Sequence, residues 1–165
     1  GDPTMGSGWF ITIASGGQTG ADRAALDWAI DHGVPHGGWC PRGRLAEDGV
    51  IDARYVLTET PDEHYSQRTE WNVRDSDGTV IFSLSGGLTG GSKVTAEFAR
   101  QYGKPCLHLS RSGDHGDAGE RLRRFVAENG IRVLNVAGPR ASNEPEGGDF
   151  VKETLTAAFV TPEDV

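Results

Sequence analysis

The chain writes one local pattern twice: "SGGQTGADRAALDWAIDHGVP" from Ser15 to Pro35 and "SGGLTGGSKVTAEFARQYGKP" from Ser85 to Pro105. Each copy follows a short apolar, β-branched run, "WFITIASGG" or "DGTVIFSLS", of the kind that forms a strand buried on both faces. Each glycine turn then opens a helix. In the first copy Ala21, Ala24, Ala25, Trp28 and Ala29 fall at helical spacing, and Gly33 with Pro35 ends the run. In the second, Val94, Ala96, Phe98 and Ala99 do the same ahead of Gly103 and Pro105. Aligned without gaps, the copies pair Arg23 with Lys93, Asp27 with Glu97 and Trp28 with Phe98. A repeated β-loop-α unit is the economical reading, and reuse of a turn common to α/β proteins is the alternative.

The rest of the chain continues the alternation. "PCLHLS" reads as a strand, "GDAGERLRRFVAENG" as a helix with Leu122, Phe125 and Val126 on one face, "IRVLNVAG" as a strand and "DFVKETLTAAF" as a closing helix. Parallel neighbours need a crossover, and the crossover is helical. The expected fold is therefore α/β: a Rossmann-like, doubly wound, mainly parallel five-stranded sheet with helices on both faces. At 165 residues one such domain is expected, over residues 9–165. The opening "GDPTMGSG" is read as an expression scar running into a start at Met5, with residues 1–8 disordered and outside the fold.

One segment breaks the rhythm. Residues 35–77 are polar and only partly regular, holding a short strand "HGGWC", an irregular "PRGRLAEDGVIDARYVLTETPDEH" and a polar helix "YSQRTEWNVRDSD". Such an insertion is expected to form part of a ligand cleft. Within it Arg68, Asn72 and Asp75 share one helix face, either turned to the cleft or held in internal ion pairs.

A net charge of −8 argues against nucleic acid as a partner, because phosphate backbones attract basic faces. No apolar run approaches the roughly 18–20 residues of a membrane span. Without a signal peptide pattern, the expected address is cytoplasmic. The two cysteines, Cys40 and Cys106, read as reduced thiols. His36 and Cys40, four residues apart, and the scattered remaining histidines show no zinc spacing, so no metal site is expected.

In a doubly wound sheet, ligands bind beyond the carboxyl ends of the strands where the strand order reverses. Were the first strand and the "TVIFS" strand neighbours, both glycine turns would face one ligand with two helix N-termini. Such termini offer backbone N–H groups and partial positive charge, and glycine lets an anion come close. Ser15, Thr19, Ser85, Thr89 and Ser92 add hydroxyls beside them. The expected guest is anionic, and the alternative is a tight strand-to-helix turn with no ligand. Neither turn matches the dinucleotide or Walker patterns, so no NAD is expected and ATP hydrolysis is demoted. "CPRGR" and "NVAGPR" place Arg42, Arg44 and Arg140 where a guanidinium can fork onto an oxyanion. Glu47, Glu59, Glu70 and Asp75 are available as acid, base or nucleophile, and nothing in the sequence selects one.

"SGGQTGADRAALDWAI", "GGWCPRGRLAEDGVID", Tyr-x-Leu-x-Glu-Thr from Tyr55, "RTEWNVRDSDGTVIF" and "LNVAGPRAS", in that order, resemble the molybdenum cofactor carrier-like proteins. That group lies in the Rossmann-like superfamily that includes the lonely guy and lysine decarboxylase-like proteins. The resemblance runs from Ile11 to Phe159. It implies oligomerisation and a carrier or storage role for molybdenum cofactor, or for molybdate or tungstate. It also implies ligand contacts at Gly16, Gly17, Thr19 and Gly20, at Arg42 and Arg44, at Ser85 through Gly91 (Gly86, Gly87, Thr89 and Gly90 among them), and at Arg140. Ser15, Gln18, Arg68 and Ser92 complete the expected contact set.

The enzymatic relatives carry a Pro-Gly-Gly-x-Gly-Thr-x-x-Glu motif whose glutamate acts in base release. Here the matching "SGGLTGGSKVTAE" lacks the proline and brings Glu97 too late. The leading expectation is a non-catalytic binding protein for an anionic pterin cofactor, oxyanion or nucleotide. Two alternatives stay open: a base-releasing hydrolase or transferase acting on nucleotides or nucleotide sugars through Glu59, Glu70, Asp75 or Glu97, and a sensor or sponge for a nucleotide-derived signal.

Overall fold

The computed structural model describes residues 11–114 and 116–160. The expectations for residues 1–8 and for Met5 lie outside these. In chain order the elements are β1 (Thr12–Ala14), α1 (Ala21–Asp31), β2 (His36–Gly37), β3 (Trp39–Cys40), β4 (Leu45–Ala46), β5 (Gly49–Val50), β6 (Thr58–Glu59) and α2 (Tyr65–Asp75). There follow β7 (Gly78–Ser83), α3 (Gly90–Gln101), β8 (Cys106–Ser110), α4 (Arg111–Asp114), α5 (Ala118–Glu128), β9 (Val133–Ala137) and α6 (Gly147–Phe159).

The central sheet has five strands in the order β2-β1-β9-β7-β8, and all its pairings are parallel. Counted from β9 onward and then from the N-terminal strands, that order reads 3-2-1-4-5, the start of the Rossmann sequence. Right-handed crossovers send α1, α5 and α6 to one face, where α6 packs against both others. They send α2 and α3 to the opposite face, where these two pack together.

Alternation along the strands builds the core. Ile13, Val80, Phe82, Leu109, Leu134 and Val136 meet Ala25, Trp28, Leu122, Val151 and Leu155 from the three-helix face. Small alanines on α1 let the helix lie close to the sheet. Gly138 is required next to it, since a Cβ there would sit 2.6 Å from the Ala21 methyl and 2.9 Å from the Phe82 carbonyl oxygen.

Two expectations are corrected. β1 and β7 are not neighbours, because β9 lies between them and pairs Thr12 with Val133 on one side and Gly78 with Leu134 on the other. The predicted strand "HGGWC" is broken at Gly38. There φ is +129°, and a Cβ would meet the Ser15 carbonyl oxygen at 2.3 Å. The chain turns away from β1 at this point, and β3 pairs instead with β6. The insertion also packs a small second core against α1, with Cys40, Ala46, Ile51 and Tyr55 buried around Leu26.

Candidate functional site

The carboxyl ends of β9 and β7 are the place where the sheet changes hands. The turn after β9 leads to α6 on one face, and the turn after β7 leads to α3 on the other. A crevice must open between them, and a cavity of about 560 Å3 lies there. Ser83, Asn135, Val136 and Ala137 form its floor. Gly16, Gln18 and Asp22 line it from the first glycine turn, Gly87, Thr89, Gly90, Gly91, Ser92 and Thr95 from the second, and Gly138 to Arg140 with Ser142, Asn143 and Glu144 from the turn after β9. Arg68, Thr69 and Asn72 reach it from α2.

The two glycine turns differ in what their N–H groups do. In the first, Ala21 N–H donates to the Pro139 carbonyl oxygen at 3.3 Å. Gln18 N–H donates to Asp22 Oδ2 at 3.3 Å and Thr19 N–H to Gln18 Oε1 at 3.0 Å. Gly20 serves this closure, for a Cβ on it would lie 2.5 Å from the Pro139 oxygen. The start of α1 is thus engaged by the protein, which corrects the expectation of two helix N-termini aimed at one guest. No side chain caps either helix, but the start of α3 is more open: Ser92 N–H turns back to the Thr89 carbonyl oxygen at 3.1 Å, and nothing lies within 4 Å of where a Cβ would stand on Gly86, Gly87, Gly90 or Gly91. A helix start of this kind presents N–H donors and partial positive charge to an approaching anion.

Cross-ties hold the three turns in register. Glu47, from the insertion, accepts hydrogen bonds from Thr19 Oγ1 and from Ser142 Oγ, the latter at 2.7 Å, and these donors hold its carboxyl below the usual range. Thr19 Oγ1 accepts from Ala141 N–H at 3.1 Å. Glu144 Oε1 accepts from Leu84 N–H at 2.9 Å and so joins the β9 turn to the end of β7. Two guanidiniums flank the Tyr65 ring, Arg68 at 5.1 Å and Arg140 at 5.5 Å from its centroid.

Arg68 is buried. It donates to the Gly16 carbonyl oxygen at 2.9 Å and lies 3.8 Å from Asp22 Oδ2. Burial pushes the Asp22 carboxyl up, against the opposing pull of Arg68. Arg140 is more open, 4.0 Å from Glu47 Oε1 with its side chain 37% exposed.

Of the contacts expected from sequence, the cavity lining brings together Gly16, Gln18, Arg68, Gly87, Thr89, Gly90, Gly91, Ser92 and Arg140. Ser15, Gly17, Thr19, Gly20, Arg42, Arg44, Ser85 and Gly86 lie outside that lining. Gly17 faces Leu57 and Ile51. Arg44, at φ +56°, donates to the carbonyl oxygens of Ile51, Asp52 and Tyr55 and braces the insertion. None of the five weighed carboxylates, Glu47 included, lines the cavity. Glu59 accepts from Gly43 N–H, Glu70 from the Tyr102 hydroxyl, Asp75 from the Trp39 indole, and Glu97 faces Arg100. The lining carboxylates are Asp22 and Glu144. "ADRAALDW" placed Asp22 in a helix's first turn, a signal that was available; Glu144 sits in a loop and carried none. Among the described residues no group of three or more His, Cys, Asp or Glu gathers as metal ligands.

Residues 13–159 match the profile of the circularly permutated YpsA SLOG family. The chain belongs to the circularly permutated YpsA SLOG family. The strand order of this cpYpsA member, with the first Rossmann strand supplied by β9 near the end of the chain, is what such a permutation produces. The cpYpsA chain is also similar to a crystal structure from Syntrophus aciditrophicus SB named "Putative molybdenum carrier protein". The two are 50% identical, with a TM-score of 0.88 over 90% of this chain and 94% of that one. No curated protein matches it.

Proposed function

We propose that the protein binds an anionic small molecule of nucleotide or pterin-cofactor size, with the anion at the start of α3 and under Arg140. The observation that carries this is the glycine-rich start of α3, where Gly87, Gly90 and Gly91 line the β9–β7 crevice with open space around them. At about 560 Å3 the cavity falls among pockets of roughly 300–1,000 Å3 that hold drug-sized ligands. A bare oxyanion would fill only a fraction of it, so a whole cofactor suits it better than free molybdate. The name of the Syntrophus protein supports a carrier role for a molybdenum-containing cargo. Such cargo would be held through its phosphate and ring by backbone N–H groups, Arg140 and the amides of the lining, with no thiolate ligand, since Cys40 is buried in the second core.

The test is isothermal titration of the protein with molybdenum cofactor, molybdate, tungstate and nucleoside monophosphates, repeated with Arg140→Ala. Binding of cofactor lost in the variant supports the carrier reading, and binding of the oxyanions alone refutes the size assignment. One observation favours a second reading, base release from a nucleotide or nucleotide sugar. Asp22 lines the cavity with its pKa raised by burial, a condition in which a carboxyl can hold a proton for a leaving base. Chromatographic detection of released base, abolished in Asp22→Asn, would select it. The homo-oligomer implied by the family resemblance belongs to the same proposal and is checked by light scattering. No helix among the described residues is long and apolar enough to cross a membrane.

A further inference from the structure

The buried corner at the α1 end of the cavity contains an amide whose orientation is fixed and whose donor is unused. Gln18 is 5% exposed and lines the cavity. Its Oε1 accepts from Thr19 N–H at 3.0 Å and from Glu47 N–H at 2.9 Å. Turning the amide over would set its NH2 against two N–H donors, so the network fixes oxygen and nitrogen in place. Nε2 therefore points away from both, and it has no hydrogen-bond partner. Leaving a buried donor unpaired costs a fold stability, and native proteins carry few such groups.

The charges around Gln18 say what kind of group it meets. Asp22 and Arg68 face each other at 3.8 Å and cancel. The Asp22 carboxylate also accepts from the Gln18 N–H at 3.3 Å, so this corner offers no net positive charge to an anion. The open helix start lies across β9, at Gly90 and Gly91. An anion is drawn to that end, and the corner at Gln18 is left for an uncharged group.

We propose that Gln18 Nε2 donates a hydrogen bond to a neutral acceptor, a carbonyl oxygen or unprotonated ring nitrogen, on the heterocyclic head of the ligand. Gln18 is then a specificity-determining residue, and the guest is a heterocycle phosphate bound lengthwise, ring at α1 and anion at α3. This rests on the anion reading above. A nucleobase and a pterin share the acceptor chemistry, and the probes separate them.

Ribose 5-phosphate, guanosine and adenosine monophosphates and a pterin phosphate are titrated into wild type, Gln18→Glu, Gln18→Leu and Arg140→Ala, with melting temperatures recorded for each. Gln18→Glu keeps the oxygen that serves Thr19 and Glu47 and removes the donor; Gln18→Leu removes the donor without adding charge. The expected result is a loss of about tenfold or more for ring-bearing probes in both Gln18 variants, with ribose 5-phosphate unchanged. Arg140→Ala should weaken every probe. Equal losses for ribose 5-phosphate and the ring-bearing probes, or no loss in either folded Gln18 variant, overturn the assignment while an Arg140 effect leaves the anion reading standing. Failure of every probe to bind wild type removes both.

Discussion

The guanidinium of Arg68 donates a hydrogen bond to the carbonyl oxygen of Gly16 at 2.9 Å, tying α2 of the insertion to the first turn of the central sheet. The same guanidinium is the nearest counter-charge to Asp22. Arg68→Ala removes both contacts and leaves a buried carboxylate unpaired, at an expected cost of about 3–5 kcal/mol at neutral pH. The cost should depend on pH. Burial raises the Asp22 pKa above 3.8, so its contribution to stability is complete below that value and is lost as pH rises through the native pKa. The deficit of Arg68→Ala should be smallest in acid and widen towards neutrality, as read from urea midpoints across pH.

Gly20 adopts φ +84° with the Pro139 carbonyl oxygen 2.5 Å from where a Cβ would stand. Gly20→Ala is expected to cost about 1–2 kcal/mol for the left-handed backbone and about 1–3 kcal/mol more for overpacking. Gly86→Ala, with open space around the same position, should change stability by less than about 0.5 kcal/mol. Thermal denaturation of the two variants side by side checks that the first turn and the β9 turn are in contact.

Asp77 accepts from the N–H groups of Arg132 at 3.0 Å and Val133 at 2.8 Å, fastening the entry to β9. These bonds hold its carboxyl below 3.8, so the stability it adds is present above that value and disappears as pH falls through the lower native pKa. Asp77→Asn should cost about 1 kcal/mol at neutral pH, after allowance for screening of an exposed group. Wild type and variant should converge in strong acid.

The Tyr55 hydroxyl donates to Asp27 Oδ1 at 2.5 Å, and burial, followed by this bond, pushes its pKa up to about 12. Its contribution is full below the ordinary value of 10.0 and is lost as pH climbs through about 12. A phenolate absorbance titration should show a late step that Tyr55→Phe abolishes. The variant's stability should also stay flatter over that alkaline range.

Element type was legible wherever a β-branched run or a helical stripe filled a segment, as at Thr79 to Phe82 and Leu122 to Val126. Strand order was not, because the position of β9 is decided by the direction of its crossovers and not by any residue in "VLNVA". That one placement also explains the misjudged α1 start: Pro139 reaches Ala21 only because β9 lies beside β1. The break at Gly38 was hidden for a similar reason, since the close passage of Ser15 is a tertiary fact. Arg44 looked like an anion clamp beside glycine and proline, yet its positive φ turns it to its own loop carbonyls. The second glycine turn is legible in so far as Gly87 and Thr89 to Ser92 line the cavity, because an exposed turn ahead of a helix depends on local chemistry.

The middle strand of this sheet is the last one to leave the ribosome. Until Val133 to Ala137 emerge, β2-β1 and β7-β8 are two separate pairs, each with a bare inner edge that invites association with other chains. The sheet therefore cannot close until β9 is available. A chain cut before Ile131 holds two strand pairs with nothing to join them, and the crevice exists only once β9 lies between them.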